Sequence, residues 1–110
     1  MKTLISITAA DKLNTIAEAI VYRELDVWHY QLNINNYTLM LEAFAPDGLS
    51  PEDVVYRDKI VSLLQSEKTE QSKSVRILDA LMAQLPAGQE STLVLAAKDR
   101  TKVTPTPAPV

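Results

Sequence analysis

The sequence predicts an all-α fold, a long antiparallel helical hairpin of coiled-coil type that pairs with a second hairpin into a four-helix bundle. Apolar residues recur at alternating intervals of three and four, which is the pattern of a helix that buries one face against another helix. Only two glycines occur in the 110 residues, whereas sandwiches and barrels need many turns. The repeating positions, which we call the first line, are Leu13, Ile16, Ile20, Arg23, Val27, Tyr30, Ile34, Tyr37, Leu41 and Phe44.

The first helix is predicted over residues 9–44. Thr8 can cap the first free amides, and Asp11 lies near the positive end of the helix dipole. No glycine or proline occurs between the cap and Phe44. The Pro46-Asp47-Gly48 segment then predicts a stop and a turn over residues 45–50.

The second helix is predicted over residues 51–85. Ser50 offers a capping hydroxyl, Pro51 suits the first helical position, and two acids follow in the first turn. Because the link is short, the two helices are expected to run antiparallel as one hairpin over residues 9–85. Residues 1–8 are then an N-terminal extension, and residues 86–110 a mostly flexible C-terminal tail with a proline-rich end.

A polar layer is predicted in the middle of the hairpin. Folding the chain near residue 47 places Ile34 near Ile60 and Ile16 near Leu78, so that apolar residues meet at both ends. Arg23, the single charged residue of the first line, then lies level with a polar stretch of the second helix and is expected to contact Glu67 or Glu70. The alternative is that Arg23 extends to solvent and pairs with nothing. The predicted layer is Arg23, Glu67, Glu70 and Gln71.

A second apolar line runs beside the first on the first helix, and it consists of Ala17, Val21, Leu25, Trp28, Leu32 and Leu39. One hairpin partner does not cover both lines, and an exposed apolar patch of that size is unusual for a monomer. We therefore expect a homodimer; the alternative is a monomer whose C-terminal segment folds over this face. Residues 90–97 are apolar enough to form a short strand, a third helix or a docked loop. The predicted partner or oligomer interface is Val21, Leu25, Trp28, Leu32 and Leu39.

Composition disfavours several functional classes. The net charge of −3 is unsuited to general binding of phosphate backbones, and the absence of cysteine removes thiolate chemistry. No stretch is long and apolar enough to span a membrane, so we expect a cytoplasmic protein. His29 is the single histidine and belongs to no Glu-x-x-His pair, so no metal, no cofactor and no catalytic residue is predicted.

The leading hypothesis is thus a non-enzymatic protein-interaction module, with a hydrogen-bonding amide face at Asn33, Asn35 and Asn36 as a further contact surface. A second hypothesis is a nucleic-acid-associated module, which would use its tyrosines as stacking platforms together with a basic C-terminal segment. An enzyme built on carboxylates and His29 ranks third. The residues of the second hypothesis are Tyr22, Tyr30, Tyr37, Tyr56, Lys98, Arg100 and Lys102.

Three segments carry a resemblance to a known group of proteins. They are the run from Tyr30 to Tyr37, the Tyr56-Arg57-Asp58 triplet, and the Glu67-x-x-Glu70-Gln71-x-Lys73 pattern. Over about half of the chain, these segments resemble small helical accessory proteins encoded by tailed phages and prophages. The resemblance implies a short cytoplasmic adaptor or inhibitor without established enzymatic chemistry, and it transfers no functional residues.

Overall fold

The computed structural model describes residues 8–44 and 48–103, which contain three α-helices. Helix α1 spans Ala9–Glu42, α2 spans Pro51–Met82 and α3 spans Glu90–Thr101. The first two helices pack against each other along their length, and α3 packs on α1. The predicted all-α hairpin is therefore confirmed.

Side chains cap the first turns of both long helices. Thr8 Oγ1 accepts a hydrogen bond from the amide of Asp11 at 3.0 Å. At α2, Ser50 Oγ accepts from the amide of Asp53 at 3.2 Å, and the carboxylate of Asp53 accepts from the amide of Ser50 at 3.4 Å. These bonds satisfy amides that have no partner within the helix. The helices end at Glu42 and Met82, slightly before the predicted residues 44 and 85.

Residues 90–101, which the prediction places in a mostly flexible tail, form helix α3, and residues 104–110 of that predicted tail lie outside the described residues. Of the three alternatives for residues 90–97, the structure has the third helix. Gly88, with φ of +84°, makes the turn that separates it from α2. Val94 and Ala97 are buried on its inner face. The proline-rich end and the N-terminal extension fall largely outside the described residues.

The register of the hairpin differs from the predicted one by about one heptad. The amide of Gln71 lies 3.0 Å from that of Gln31, and the rings of Phe44 and Tyr56 are 5.8 Å apart. These contacts are centred near residue 50, whereas the prediction was centred near residue 47. A heptad pattern repeats itself every seven residues, so a slip of that length again places apolar residues against apolar ones.

The core lies where the three helices meet. The N-terminal half of α1 supplies its middle, and residues from the end of α2 and from α3 close it on two sides. Small side chains allow the helices to approach closely at this point. The buried residues are Ala17, Ile20, Val21, Leu85, Val94 and Ala97.

Candidate interaction surface

The second line of α1 begins underneath α3. Val21 is only 2% exposed and packs in one cluster with Val94 and Ala97. It is therefore buried within the chain and does not lie on a free surface as predicted. This part of the line is covered in cis, because the C-terminal segment folds back over it.

Two ion pairs fasten α3 to α1. Lys98 Nζ lies 3.4 Å from a carboxylate oxygen of Glu24, and Arg100 Nε donates to Glu18 Oε1 at 3.0 Å. Arg100 also donates to the backbone carbonyl of Asn14 at 3.4 Å. Together with the apolar cluster, these contacts join α3 to the part of α1 that ends near Glu24.

Beyond Glu24 the same line continues without α3. Leu25, Trp28 and Leu32 are half-buried, and Leu39 is 63% exposed. Asn35 takes the remaining position of the three–four spacing. We call Leu25, Trp28, Leu32, Asn35 and Leu39 the open line.

One flank of α2 faces the same side of the hairpin. Met82 lines a cleft of about 290 Å³ together with Val94 and Leu95 of α3. Val75, Lys68 and Val61 precede Met82 at intervals of seven residues and so share its side of α2. We call Val61, Lys68 and Val75 the α2 flank. Helix α3 packs on α1 next to the end of α2, and the cleft there is lined by Glu24, Met82 and residues of α3. We use the word groove for the surface that continues from this cleft between the open line and the α2 flank.

Both valines of the α2 flank are accessible. Val61 is 41% exposed and, in the observed register, lies about level with Leu39. Val75 is 39% exposed and lies about level with Leu25. The apolar wall of α1 therefore has an apolar counterpart on α2 at both ends of the groove.

The middle of α1 carries no charge. Residues 27–41 contain no Asp, Glu, Lys or Arg, although 23% of the chain is charged, which would place about three in such a segment. Several of these residues are nevertheless exposed, among them His29, Asn33 and Asn36. Depletion of charge on an exposed face is typical of the centre of a protein–protein interface.

A chain of side-chain amides links the open line to the inside of the hairpin. Gln71 Nε2 donates to the carbonyl of Val27 at 3.2 Å and to Gln31 Oε1 at 3.0 Å. Gln31 Nε2 in turn donates to Asn35 Oδ1 at 2.9 Å. Asn35 is thereby held in place by a residue of α2.

The polar layer between α1 and α2 is only partly the predicted one. Glu67 accepts from Asn33 Nδ2 at 3.4 Å, and Gln71 bonds α1 as described above. Arg23 instead pairs with Asp26 on its own helix at 3.5 Å, and Glu70 pairs with Lys73 at 3.1 Å. The predicted contact of Arg23 with Glu67 or Glu70 is corrected, because the slipped register brings Arg23 level with residues 77 and 78.

Trp28 occupies an unusual position in the open line. Its indole Nε1 is buried and has no hydrogen-bond partner among the described residues. Its ring lies 5.0 Å from that of His29, centroid to centroid, at an interplanar angle of 60°. A buried donor without an acceptor costs free energy.

The residues of the nucleic-acid hypothesis are not gathered into one surface. Lys98 and Arg100 pair with glutamates of α1, and Lys102 lies 3.6 Å from Asp99. Tyr30 and Tyr37 are half-buried on the first line, as the spacing predicts. The basic segment therefore offers little uncompensated positive charge to a phosphate backbone.

Within residues 8–44 and 48–103, no three His, Asp or Glu side chains lie close enough together to hold a metal ion. None of the helices in that part of the chain combines the length and the apolar character needed to cross a membrane. Sequence reasoning missed the α2 flank, although the seven-residue spacing of Val61, Lys68, Val75 and Met82 was a usable signal. Comparison with protein-family models, curated proteins and solved structures found no match for this chain.

Proposed function

We propose that the chain is a non-enzymatic protein-interaction module that binds a helix in the groove between the open line and the α2 flank. The observation that carries the proposal is the contrast along one line of α1. Its first part already holds a helix, α3, whereas its second part has the same spacing, is only half-buried and ends at Leu39, which is 63% exposed. A partner helix would complete in trans the coiled-coil packing that α3 completes in cis.

The chemistry of the groove supports a protein partner. Its walls are apolar at the centre of the open line and carry amides and an imidazole at the edges, without fixed charge between residues 27 and 41. Such a surface gains little from an ionic ligand but gains from burial of its apolar side chains, and tryptophan is one of the residues that carry most of the binding energy at protein interfaces.

We propose further that the module is a homodimer and acts in the cytoplasm. A second copy would bury the exposed leucine and valines that the monomer leaves in water, as a four-helix bundle does. The resemblance to phage accessory proteins gives the biological setting, in which the groove would serve as an adaptor or inhibitor surface towards host machinery. The ion-paired basic segment gives no comparable support to nucleic-acid binding.

The experiment compares three forms of the chain against one partner. Partners are captured from a bacterial lysate, purified, and their Kd is measured by calorimetry with the wild type, Leu39→Asp and Leu63→Asp. Leu39 lies on the open line, whereas Leu63, which is 39% exposed, lies on the opposite flank of α2. We expect Leu39→Asp to weaken binding more than tenfold and Leu63→Asp to leave it unchanged. Equal binding by Leu39→Asp would reject the groove as the site.

A further inference from the structure

We infer that the hairpin of α1 and α2 has a second register, one heptad away from the observed one, and that docking of α3 selects the observed register. The second register, which we call the shifted register, is the one that the sequence predicts, with Ile34 level with Ile60 and Ile16 level with Leu78. The inference goes beyond the proposed function and does not depend on it, because it concerns contacts within one chain.

Glu67 is poorly matched in the observed register. Its Oε1 accepts one long hydrogen bond, from Asn33 Nδ2 at 3.4 Å, and its Oε2 is buried without a partner among the described residues. The contact with Asn33 places Glu67 about level with Ile34, which is 8% exposed. A buried carboxylate oxygen that lacks a donor costs free energy. The observed register therefore leaves the hydrogen bonding of Glu67 incomplete.

Arg23 is the second mismatch. It belongs to the first line, yet it pairs with Asp26 of its own helix at 3.5 Å and lies about level with Leu78 of α2. In the shifted register Arg23 lies level with Gln71 instead, and Glu67 is one turn of α2 away. A guanidinium at that position can donate a charge-assisted hydrogen bond to the carboxylate of Glu67. The shifted register thus pairs the two groups that the observed register leaves poorly matched.

Apolar contacts do not distinguish the two registers. Ile60 lies about level with Leu41 in the observed register and with Ile34 in the shifted one. Leu64 lies level with a tyrosine of the first line in both, Tyr37 or Tyr30. Since apolar residues recur every seven positions on both helices, a shift of one heptad replaces one apolar layer by another. Within the seam between α1 and α2, the polar residues therefore favour the shifted register.

Helix α3 accounts for the observed register. Leu85, at the end of α2, is buried in one cluster with Val94 of α3 and with Ala17 and Val21 of α1. Residues 83–89 are a short link between α2 and α3, so the two helices keep their positions relative to each other along α1. The shift moves α2 by about 10 Å towards the N-terminus of α1 and would pull this cluster apart. Burial of the cluster stabilises the observed register against the mismatched polar seam.

The link between α1 and α2 allows the shift. It consists of residues 43–50, between Glu42 and Pro51. In the observed register Pro51 lies about 10 Å beyond the end of α1 along the helix axis, whereas in the shifted register it lies about level with Glu42. The same residues then span a shorter distance, and neither helix has to unwind. Two packings of one sequence that are close in free energy are the basis of such switches.

The test measures the distance between two spin labels by pulsed electron paramagnetic resonance, because the chain contains no cysteine of its own. The labels are attached at Tyr22→Cys on α1 and Tyr56→Cys on α2, which replace side chains that are each 51% exposed. Ala97→Asp detaches α3, and the shift then brings the labels closer by about 10 Å, seven residues at about 1.5 Å each.

Three controls accompany the measurement. Leu95→Asp, at a residue of α3 that is 65% exposed, should keep the distance of the wild type. Labels at Tyr22→Cys and Leu39→Cys, both on α1, should keep their distance in every variant. Dilution with unlabelled chain restricts the measurement to distances within one chain.

Adding Arg23→Leu to Ala97→Asp should restore the longer distance, because the pairing with Glu67 is then lost and a leucine at position 23 suits Leu78. A short distance that persisted in this double variant would refute the pairing as the cause of the shift. An unchanged distance in Ala97→Asp, with the amides of residues 90–101 open to hydrogen exchange, would overturn the inference.

Glu67→Leu in the otherwise unchanged chain is a second test, which does not require α3 to detach. It removes the buried carboxylate oxygen beside Ile34 and should raise the midpoint of thermal unfolding. A lower midpoint would mean that Glu67 is well matched in the observed register, and the reason for a second register would be gone.

Discussion

The two halves of the second line of α1 have the same sequence pattern and opposite surroundings. In the first half, Ala17 is fully buried and Val21 nearly so, because α3 lies on them. In the second half, Leu39 is largely exposed, and Trp28 has a buried indole nitrogen without a partner among the described residues. The same periodicity is completed within the chain at one end and left incomplete at the other.

Helix length explains the difference. α1 has 34 residues and α3 has 12, so the two span about 50 Å and about 18 Å at 1.5 Å per residue. A helix as short as α3 covers only part of the line. The rest of the line either remains partly exposed to water or packs against another molecule. An apolar pattern on a long helix is therefore evidence about assembly as well as about the core.

The largest expected effect is the difference in stability loss when one side chain in each half of the molecule is shortened to alanine. Ile20 is fully buried in the three-helix core, and Ile20→Ala should lower the free energy of unfolding by about 2–5 kcal/mol. Leu39→Ala should change it by less than about 0.5 kcal/mol in dilute solution, where no dimer forms. Urea denaturation measures both. If Leu39→Ala lowers the free energy of unfolding more at higher protein concentration, the exposed half is buried by self-association. If Leu39→Ala and Ile20→Ala lower it equally at all concentrations, the proposed difference between the two halves is wrong.

The second prediction concerns a substitution that detaches α3 from α1 and so exposes the covered half of the second line. Ala97 is fully buried against α1. If α3 stayed docked, Ala97→Asp would lower the free energy of unfolding by about 2–3 kcal/mol, so we expect α3 to detach from α1 instead. We expect residues 90–101 to lose hydrogen-exchange protection while α1 and α2 keep theirs. Leu95→Asp is the control, because Leu95 is 65% exposed on the same helix.

Local signals predicted the starts of the two long helices. Thr8 and Ser50 make hydrogen bonds within the next three residues, so the sequence around them is sufficient to identify the caps. The second line was also readable, because a three–four spacing depends only on the geometry of one helix. The open half of the predicted interface follows from that spacing alone.

The position of α3 and the register of the hairpin were not readable in the same way. The start of α3 has no side-chain cap, and α3 is held in place by small residues such as Ala97 against Ala17. Such residues do not stand out in a sequence, and their packing depends on tertiary contacts. The register was missed because a heptad pattern is degenerate to slips of seven residues, and Arg23 was therefore placed beside the wrong part of α2.

A smaller effect tests the amide chain that supports the open half. Gln71→Leu removes the donor to Gln31 and to the carbonyl of Val27, and should lower stability by about 1 kcal/mol. Adding Gln31→Leu should then cost less than Gln31→Leu costs in the wild type, because the bond between the two amides is already lost. Glu70→Gln, which alters an exposed pair within α2, should have almost no effect on thermal unfolding. Additive losses in the double variant would contradict the bonded pair.

The smallest effect concerns the ion pairs that hold α3 over the covered half. Glu18 and Glu24 are about one-third exposed, so solvent screens their pairs with Arg100 and Lys98. Glu18→Gln with Glu24→Gln should weaken the docking of α3 by less than about 1 kcal/mol at low salt. In 1 M salt, where the screening length is about 3 Å, the wild type and the double variant should exchange the amides of residues 90–101 at nearly the same rate. A difference that persisted in high salt would mean that these carboxylates position α3 by direct hydrogen bonding, as the 3.0 Å contact of Arg100 with Glu18 allows, rather than by charge.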